Sequence, residues 1–306
     1  MRFSSRLACL VIGIFGLSVI IAPLAKAGIE WLQHTWPQTI PLFRLDSTDP
    51  SYDFGRIYRR LLLLLTLGLA CLGRRWLGSI PLKGIGLRAY PGRHFGSGLL
   101  LGCFSFTLFL GILILLGKRS VAPDIPVHWA LRVGLALAAG LLVGVIEETI
   151  FRGFLLGGLL QDWSRFVSVL ISSSLFSAAH FLRGSLHVTS GLDVGVGLRA
   201  LLAHLRPLAQ PTIVFPFVGL FLVGVVLAYA YLWTNSLPFA IGLHAGWVFL
   251  SKIDGFLLQE QTRIEWLYGK QGILAGILGW IFLLIMIPLL RLWIYLPSLF
   301  IRPRRS

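Results

Sequence analysis

Two adjacent glutamates, Glu147 and Glu148, lie inside an apolar stretch of the chain. An ionised carboxylate at the middle of a bilayer costs about 3 kcal/mol on insertion scales, so a pair of them needs partners or protons. Arg152 follows Glu148 by four residues, the spacing of a salt bridge on a helix. A structural ion pair would account for Glu148 and Arg152, but it would not account for Glu147. We therefore interpret the pair as a candidate functional site.

Two histidines, His180 and His244, also lie in apolar stretches. A lone histidine in such a stretch is more often a hydrogen-bonded packing residue, but here the spacing along the chain argues otherwise. At 1.5 Å per residue, Glu147 and His180 both lie about 20 Å from the polar turn at residues 161–165. His244 lies about 12 Å beyond the polar turn at residues 234–236. The sequence therefore predicts that three helices bring these side chains to similar depth.

Carboxylates and imidazoles that meet in a low-dielectric cavity suit hydrolysis. A carboxylate can take a proton from a bound water, and an imidazole can orient that water, donate to an oxyanion or bind zinc. These residue types leave two kinds of site open, with a slight preference for the first. One is a metal-free glutamate–water site, and the other is a zinc site with four ligands: Glu147, Glu148, His180 and His244.

The composition indicates the kind of protein that positions these residues. Of 306 residues, 56% are apolar and 13% are charged, against about 25% charged in a typical soluble domain. These values exclude an ordinary soluble enzyme and a disordered chain. We predict an all-α, polytopic membrane helical bundle with about eight transmembrane helices. Their approximate ranges are 7–24, 57–73, 95–116, 131–160, 166–182, 212–233, 237–251 and 272–290.

The formal net charge is +15, from 27 basic and 12 acidic residues. The basic residues mostly flank apolar stretches, so we expect them to contact the lipid bilayer and not nucleic acid. They are densest between the second and third spans and at the C-terminus, which the positive-inside rule makes cytoplasmic. We expect an integral protein of a bacterial plasma membrane with its site nearer the cytoplasmic face. We interpret Cys9, Cys71 and Cys103 as packing residues, since no CxxC pair occurs.

The chain is expected to have three parts. Residues 1–94 hold N-terminal helices and loops, residues 95–255 the core of the site, and residues 256–306 a last helix and a basic tail. Residues 1–27 are compatible with a cleaved secretory signal or, as we favour, a retained helix. Leu201, Leu202 and Leu205 suit a short interfacial helix.

Two ordered motifs resemble those of a known family. Glu147-Glu148-Thr149-Ile150-Phe151-Arg152 matches an EExxxR motif, and Phe176-Ser177-Ala178-Ala179-His180 matches an FxxxH motif. A third motif, HxxxN, is matched at His244 but not four residues later, where Val248 replaces the asparagine. Over about residues 95–255 the chain therefore resembles the CPBP family of intramembrane proteases, which includes type II CAAX prenyl endopeptidases and abortive-infection-like membrane proteins.

The resemblance implies a role for each matched residue. Glu147 would activate the hydrolytic water and His180 would hold it. Glu148 and Arg152 would pair to fix the site, and His244 would contribute to an oxyanion hole. Val248 cannot donate a hydrogen bond, so we expect Ser251 or Asn235 as a substitute donor.

The leading hypothesis is an intramembrane endopeptidase that cleaves a membrane-anchored protein or peptide, prenylated CAAX-type substrates among them. Its cofactor is a divalent metal such as zinc, or none. A non-catalytic CPBP-derived scaffold or a bacteriocin self-protection protein is the alternative. A transporter or proton relay is a third hypothesis, since membrane carboxylates and histidines also carry ions. It would be favoured by inverted repeats, and none is evident in the sequence.

Overall fold

The computed structural model describes residues 2–36, 51–73, 91–124, 127–189, 191–261, 267 and 276–295. Several sequence predictions lie outside these residues or rest on side chains that are not described. They concern Cys71, the basic residues between the second and third predicted spans (Arg74, Arg75, Lys83 and Arg88) and those of the tail (Arg302, Arg304 and Arg305).

The described residues are mostly helical. The helices are α1 (Phe3–Thr35), α2 (Phe54–Gly73), α3 (Pro91–Leu115), α4 (Trp129–Glu148), α5 (Gly157–Asp162), α6 (Arg165–His180), α7 (Val196–Leu205), α8 (Val214–Thr234), α9 (Leu237–Leu257) and α10 (Ile277–Tyr295). A π-helical segment, Thr149–Leu156, joins α4 to α5, and short 3₁₀ turns at Arg206–Ala209 and Pro211–Ile213 join α7 to α8. Four three-residue strands, β1 (Ser51–Asp53), β2 (Arg119–Val121), β3 (His187–Thr189) and β4 (Leu258–Glu260), form the antiparallel pairs β1–β3 and β2–β4.

The structure confirms an all-α integral membrane protein but not the count of eight spans. Within the described residues, five helical stretches are long and apolar enough to cross a membrane: Phe3–Leu32, Pro91–Leu115, Trp129–Asp162, Pro211–Thr234 and Ile277–Tyr295. The other predicted spans correspond to α2, α6 and α9.

Each of these three helices is too short or too highly charged to count as a membrane-spanning helix. Helix α6 has 16 residues, or about 24 Å, which is less than the roughly 30 Å hydrocarbon core. Helix α2 carries Arg56, Arg59 and Arg60 near its start, and α9 carries Lys252 and Asp254 near its end. The count of about eight spans therefore stays a prediction.

The chain divides into two compact units. The first consists of Met1–Ser79 and Ala178–Ile213, and the second consists of Ile80–Ser177 and Val214–Ser306. The chain passes from one to the other within α6. The expected boundaries after residues 94 and 255 stay predictions.

In the first unit, polar side chains of α1 and β1 contact the irregular segment that follows α6. Lys26, only 1% exposed, pairs with Glu30 and donates to the main-chain oxygen of Gly191 at 2.6 Å. Glu30 in turn accepts from Gly191 N at 3.2 Å. Asp53 Oδ1 accepts from Leu186 N at 3.1 Å. These hydrogen bonds tie the segment to α1 and β1.

Helix α7 also packs in the first unit, on the middle of α1. Gly197 lies so close to the main chain of Val19 that a Cβ atom there would clash with it. His204, which is fully buried, contacts the main-chain oxygens of Ala200 and Gly55. The short helix expected from Leu201, Leu202 and Leu205 is therefore present, but one face of it is packed against protein.

In the second unit, the core contains α3, α8, α9 and α10. Its largest cluster of buried side chains includes Phe106, Phe109, Phe176, Leu243, Trp247 and Met286. Trp247 Nε1 donates to Ser105 Oγ at 3.1 Å, which satisfies the indole and joins α9 to α3. This core holds the helix that carries His244.

Candidate functional site

The two glutamates lie at the end of α4, where the helix changes its hydrogen-bond register. Glu148 is the last residue of α4, and Arg152 lies in the π-helical segment Thr149–Leu156. π-helical turns are rare and occur often at functional sites. The sequence analysis treated this stretch as one α-helix, since the apolar pattern carries no signal of the change.

Glu148 connects two cationic or titratable side chains through a single oxygen atom. Arg152 Nη1 donates to Glu148 Oε1 at 2.8 Å, and His244 Nδ1 lies 2.8 Å from the same oxygen. Glu148 is fully buried, and Arg152 and His244 are only 1% and 4% exposed. An ionised carboxylate only accepts, so with Glu148 ionised the donor of this contact is Nδ1 of His244. The three residues therefore form a buried cluster that fixes the tautomer of the imidazole.

Glu147 has a different environment from its neighbour. Its side chain is 25% exposed, and its Oε2 atom lies 3.9 Å from His244 Nε2. That separation is longer than a hydrogen bond, so the two groups face each other without a direct bond. The Oε2 atom itself is buried, so Glu147 is the more exposed of the two carboxylates only through the rest of its side chain.

The turn between α8 and α9 determines where α9 begins, and therefore where His244 lies along that helix. Asn235 has a φ of 48°, a left-handed conformation that asparagine tolerates better than most residues. Ser236 caps α9 by accepting from Phe239 N, and Pro238 lies in the first turn, where its missing N–H costs nothing. These local signals place His244 two turns into α9.

Pairs of glycines spaced four residues apart let three helices approach closely around His244. They are Gly98 and Gly102 on α3, Gly140 and Gly144 on α4, and Gly242 and Gly246 on α9. A Cβ atom at Gly140 would lie 2.7 Å from the main-chain oxygen of Ala245, and one at Gly246 would lie 2.9 Å from Cys103 N. The sequence analysis did not use these residues, although their small-xxx-small spacing is a recognised signal of helix contact in membranes.

Arg152 has two further contacts besides Glu148. Its Nη2 atom donates to the main-chain oxygen of Gly224 on α8 at 3.1 Å, and its Cζ atom lies 4.6 Å from the ring centroid of Phe176 on α6. The Phe176 ring also lies 6.0 Å from the His244 ring, edge-on. A buried guanidinium thus has a carboxylate, a carbonyl and an aromatic face around it.

His180 is the last residue of α6 and belongs to the first compact unit, whereas Glu147, Glu148, Arg152 and His244 belong to the second. Its predicted position beside the glutamates therefore stays a prediction. The structure brings the other four predicted site residues together.

The expected substitute donors for the missing asparagine are far from His244 along the chain. Asn235 lies in the turn before α9 and Ser251 lies seven residues after His244, and both are exposed. Seven helical residues span about 10 Å, which is too far for two groups to bind one oxyanion. Val248 is half-buried, one turn beyond His244.

The positions of the donor atoms bear on the four predicted metal ligands. Among the described residues, no group of three or more His, Cys, Asp or Glu side chains is placed to hold a metal ion. Glu148 Oε1 is already shared by Arg152 and His244. Because His180 belongs to the other compact unit, the four-ligand zinc site stays a prediction.

Comparison with known proteins adds to this geometry. Residues 129–250 match the model of a family described as type II CAAX prenyl endopeptidase Rce1-like. Over these residues, which make up less than half of the chain, the protein is similar to that family. The Rce1-like segment begins with α4 and ends within α9, so it contains the buried cluster, Glu147 and His180.

The match confirms the resemblance inferred from the motifs. It supports a membrane protease at the level of the family and favours neither a transporter nor a non-catalytic scaffold. No curated protein and no solved structure matches the chain.

Proposed function

We propose that the protein is an intramembrane endopeptidase that hydrolyses a peptide bond in a membrane-anchored protein or peptide, with prenylated CAAX-type proteins as the first substrate class to test. The observation that carries the proposal is the contrast between the two glutamates. Glu148 is buried and contacts both Arg152 and His244, whereas the side chain of Glu147 is partly exposed and lies beside the same imidazole without a direct hydrogen bond. The Rce1-like match to residues 129–250 supports the reaction class.

In the proposed reaction, Glu147 is the general base. Its carboxylate takes a proton from a water molecule held with the help of His180, and the water oxygen forms a bond to the scissile carbonyl carbon. When the tetrahedral intermediate collapses, the carbon–nitrogen bond breaks and Glu147 returns the proton to the leaving amine. The low dielectric of a membrane-enclosed site strengthens these interactions.

His244 is proposed to stabilise the oxyanion from its Nε2 atom. Since Nδ1 donates to Glu148, Nε2 can donate only when the imidazole carries both protons. An imidazolium there would bring the formal charge of Glu147, Glu148, Arg152 and His244 to zero. In this role, His244 alone takes the place of the usual two hydrogen-bond donors of an oxyanion hole.

The reaction is proposed to need no metal, and the site is proposed to lie nearer the cytoplasmic face of a bacterial plasma membrane. We expect cleavage of a farnesylated CAAX peptide by the purified protein to be unaffected by a chelator. Loss of activity with the chelator, and its return on addition of zinc, would overturn the metal-free part of the proposal.

The decisive experiment measures cleavage of a farnesylated CAAX peptide by the full chain in proteoliposomes. We expect Glu147→Gln and His180→Ala each to reduce cleavage by about 100-fold or more, since each removes a group that acts on the water. Thermal melting in detergent should remain close to that of the unchanged protein. Glu260→Gln, at an exposed glutamate on β4, is the matched control and should cleave normally.

Two outcomes would count against the proposal. Normal cleavage by Glu147→Gln would remove the assigned base. Absence of cleavage by the unchanged protein on both the farnesylated peptide and an unprenylated membrane-anchored peptide would remove the assigned function.

A further inference from the structure

One glycine outside the matched motifs controls how Arg152 is held. Gly224 lies on α8, and its main-chain oxygen accepts from Arg152 Nη2 at 3.1 Å. In a regular helix that oxygen already accepts a main-chain bond, so the guanidinium uses its second lone pair.

The oxygen is within reach because α6 and α8 pack closely at this point. A Cβ atom at Gly224 would lie 2.9 Å from Ser173 Cβ and 3.0 Å from Ser173 Cα. Further along the same antiparallel contact, Ser177 Oγ donates to the main-chain oxygen of Phe217 at 2.8 Å. A side chain at position 224 would therefore force the two helices apart, because the atoms it meets include main chain.

The same contact also sets the position of the aromatic ring on the other side of Arg152. Phe176 lies one helical turn after Ser173 on α6, and its ring covers the guanidinium at 4.6 Å. If α6 moved away from α8, Arg152 would lose the geometry of both its carbonyl acceptor and its aromatic contact. The positions of Glu148 and His244 depend in turn on Arg152, because Glu148 Oε1 contacts both Arg152 and His244.

We propose that Gly224 is a positioning residue for the site. The absence of a side chain at Gly224 brings α6 and α8 to the distance at which its carbonyl and Phe176 hold Arg152, and through Glu148 this fixes the orientation of His244. The inference rests on the proposed function for its catalytic consequence, but the anchoring of Arg152 by Gly224 can be tested without it.

The first test is a thermal-melting cycle in detergent and needs no activity. Gly224→Ala should lower the melting temperature less in an Arg152→Lys background than in the unchanged protein, because lysine cannot hold the carboxylate and the carbonyl together. Gly111→Ala, at a helical glycine with nothing within 4 Å, should give the same shift in both backgrounds. Additive shifts for Gly224→Ala and Arg152→Lys would overturn the anchoring.

The second test asks whether room for the added methyl group restores the site. Ser173→Gly removes the Cβ and Oγ atoms that the new side chain would meet, so the double variant Ser173→Gly/Gly224→Ala should recover part of the melting temperature. Failure of this rescue, with Ser173→Gly alone folded normally, would place the strain elsewhere.

The third test separates positioning from mere stability. On the farnesylated CAAX peptide, Gly224→Ala should reduce kcat by roughly 10- to 100-fold with KM almost unchanged, because a displacement of about 1 Å disorganises the reacting groups and not the binding surface. The Ser173→Gly/Gly224→Ala variant should regain part of that kcat. An unchanged kcat, or a rise in KM alone, would overturn the positioning role. If the unchanged protein cleaves no peptide, the proposed function fails while the melting cycle still decides whether Gly224 anchors Arg152.

Discussion

At the scale of single residues, the site depends on how one buried carboxylate is shared. Glu148 is inaccessible to solvent, and its Oε1 atom accepts from both Arg152 and His244. A buried charge that loses its partner is costly, whereas removal of both charges of a pair is often tolerated. The three side chains therefore behave as one unit in which each substitution affects the others.

A double-substitution cycle tests this unit. Arg152→Met should destabilise the protein by about 3–5 kcal/mol, because it leaves the Glu148 carboxylate buried without its guanidinium. Glu148→Gln combined with Arg152→Met should be more stable than Arg152→Met alone, since no charge then lacks a counterion. Denaturation in detergent, followed by tryptophan fluorescence, measures both. A double variant less stable than the single one would show that the pair is not coupled in this way.

At the scale of elements, close helix contacts hold the residues that do the chemistry. Helix α9 is locked between α3 and α4 by glycines, so the imidazole of His244 has little freedom to move away from the carboxylates. Gly140 and Gly134 offer a comparison within α4: a Cβ at Gly140 would meet Ala245 O at 2.7 Å, whereas one at Gly134 would have nothing within 4 Å. Replacing glycine by alanine should therefore affect the free energy of unfolding differently at these two positions.

We expect Gly140→Ala to lower the free energy of unfolding by about 1–3 kcal/mol, because it overpacks a close contact. Gly134→Ala should leave stability unchanged or raise it by up to about 1 kcal/mol, since alanine has the higher helix propensity. Melting of the two variants side by side provides the measurement. Equal destabilisation by both would mean that the close contact at Gly140 does not account for the effect.

The elements differ in how far the sequence predicts them. Apolar runs located every described spanning helix, and the spacing of Glu148 and Arg152 indicated a pair that the structure contains. The π-helical segment was not predictable, because a change in main-chain register leaves no mark on an all-apolar pattern. The pairing of His244 with Glu148 was not predictable either, since depth along two helices does not determine which faces meet.

At the scale of the whole molecule, the polar interior is not confined to the candidate site. In the first compact unit, Ser18, Tyr58 and His204 connect α1, α2 and α7: Ser18 and Tyr58 share a hydrogen bond of 2.6 Å, and the Tyr58 and His204 rings lie 5.0 Å apart. Burial lowers the pKa of His204, opposed by its two main-chain carbonyl partners, while the charges of Arg59 and Asp53 act in opposite directions on it.

The lowered pKa of His204 predicts how stability depends on pH. Below the ordinary histidine pKa of about 6.5, the unfolded chain binds a proton that the folded chain does not, so stability falls as the pH falls from there to the folded pKa. We expect the melting temperature to drop more between pH 7.5 and pH 5.5 in the unchanged protein than in His204→Gln. Buffers of matched ionic strength isolate the proton effect, and an equal drop in both proteins would assign the pH dependence to other groups.

The positions of Glu148, Arg152 and the residues after them depend on the number of residues in the π-helical turn. An α-helix advances by about 100° per residue, so the loss of a single amino acid between Thr149 and Leu156 would swing the downstream side chains by roughly that angle. Replacements that keep the length, away from Arg152, would leave the main-chain register in place. Insertions and deletions in these eight residues are thus expected to be the least tolerated kind of sequence change in the entire polypeptide.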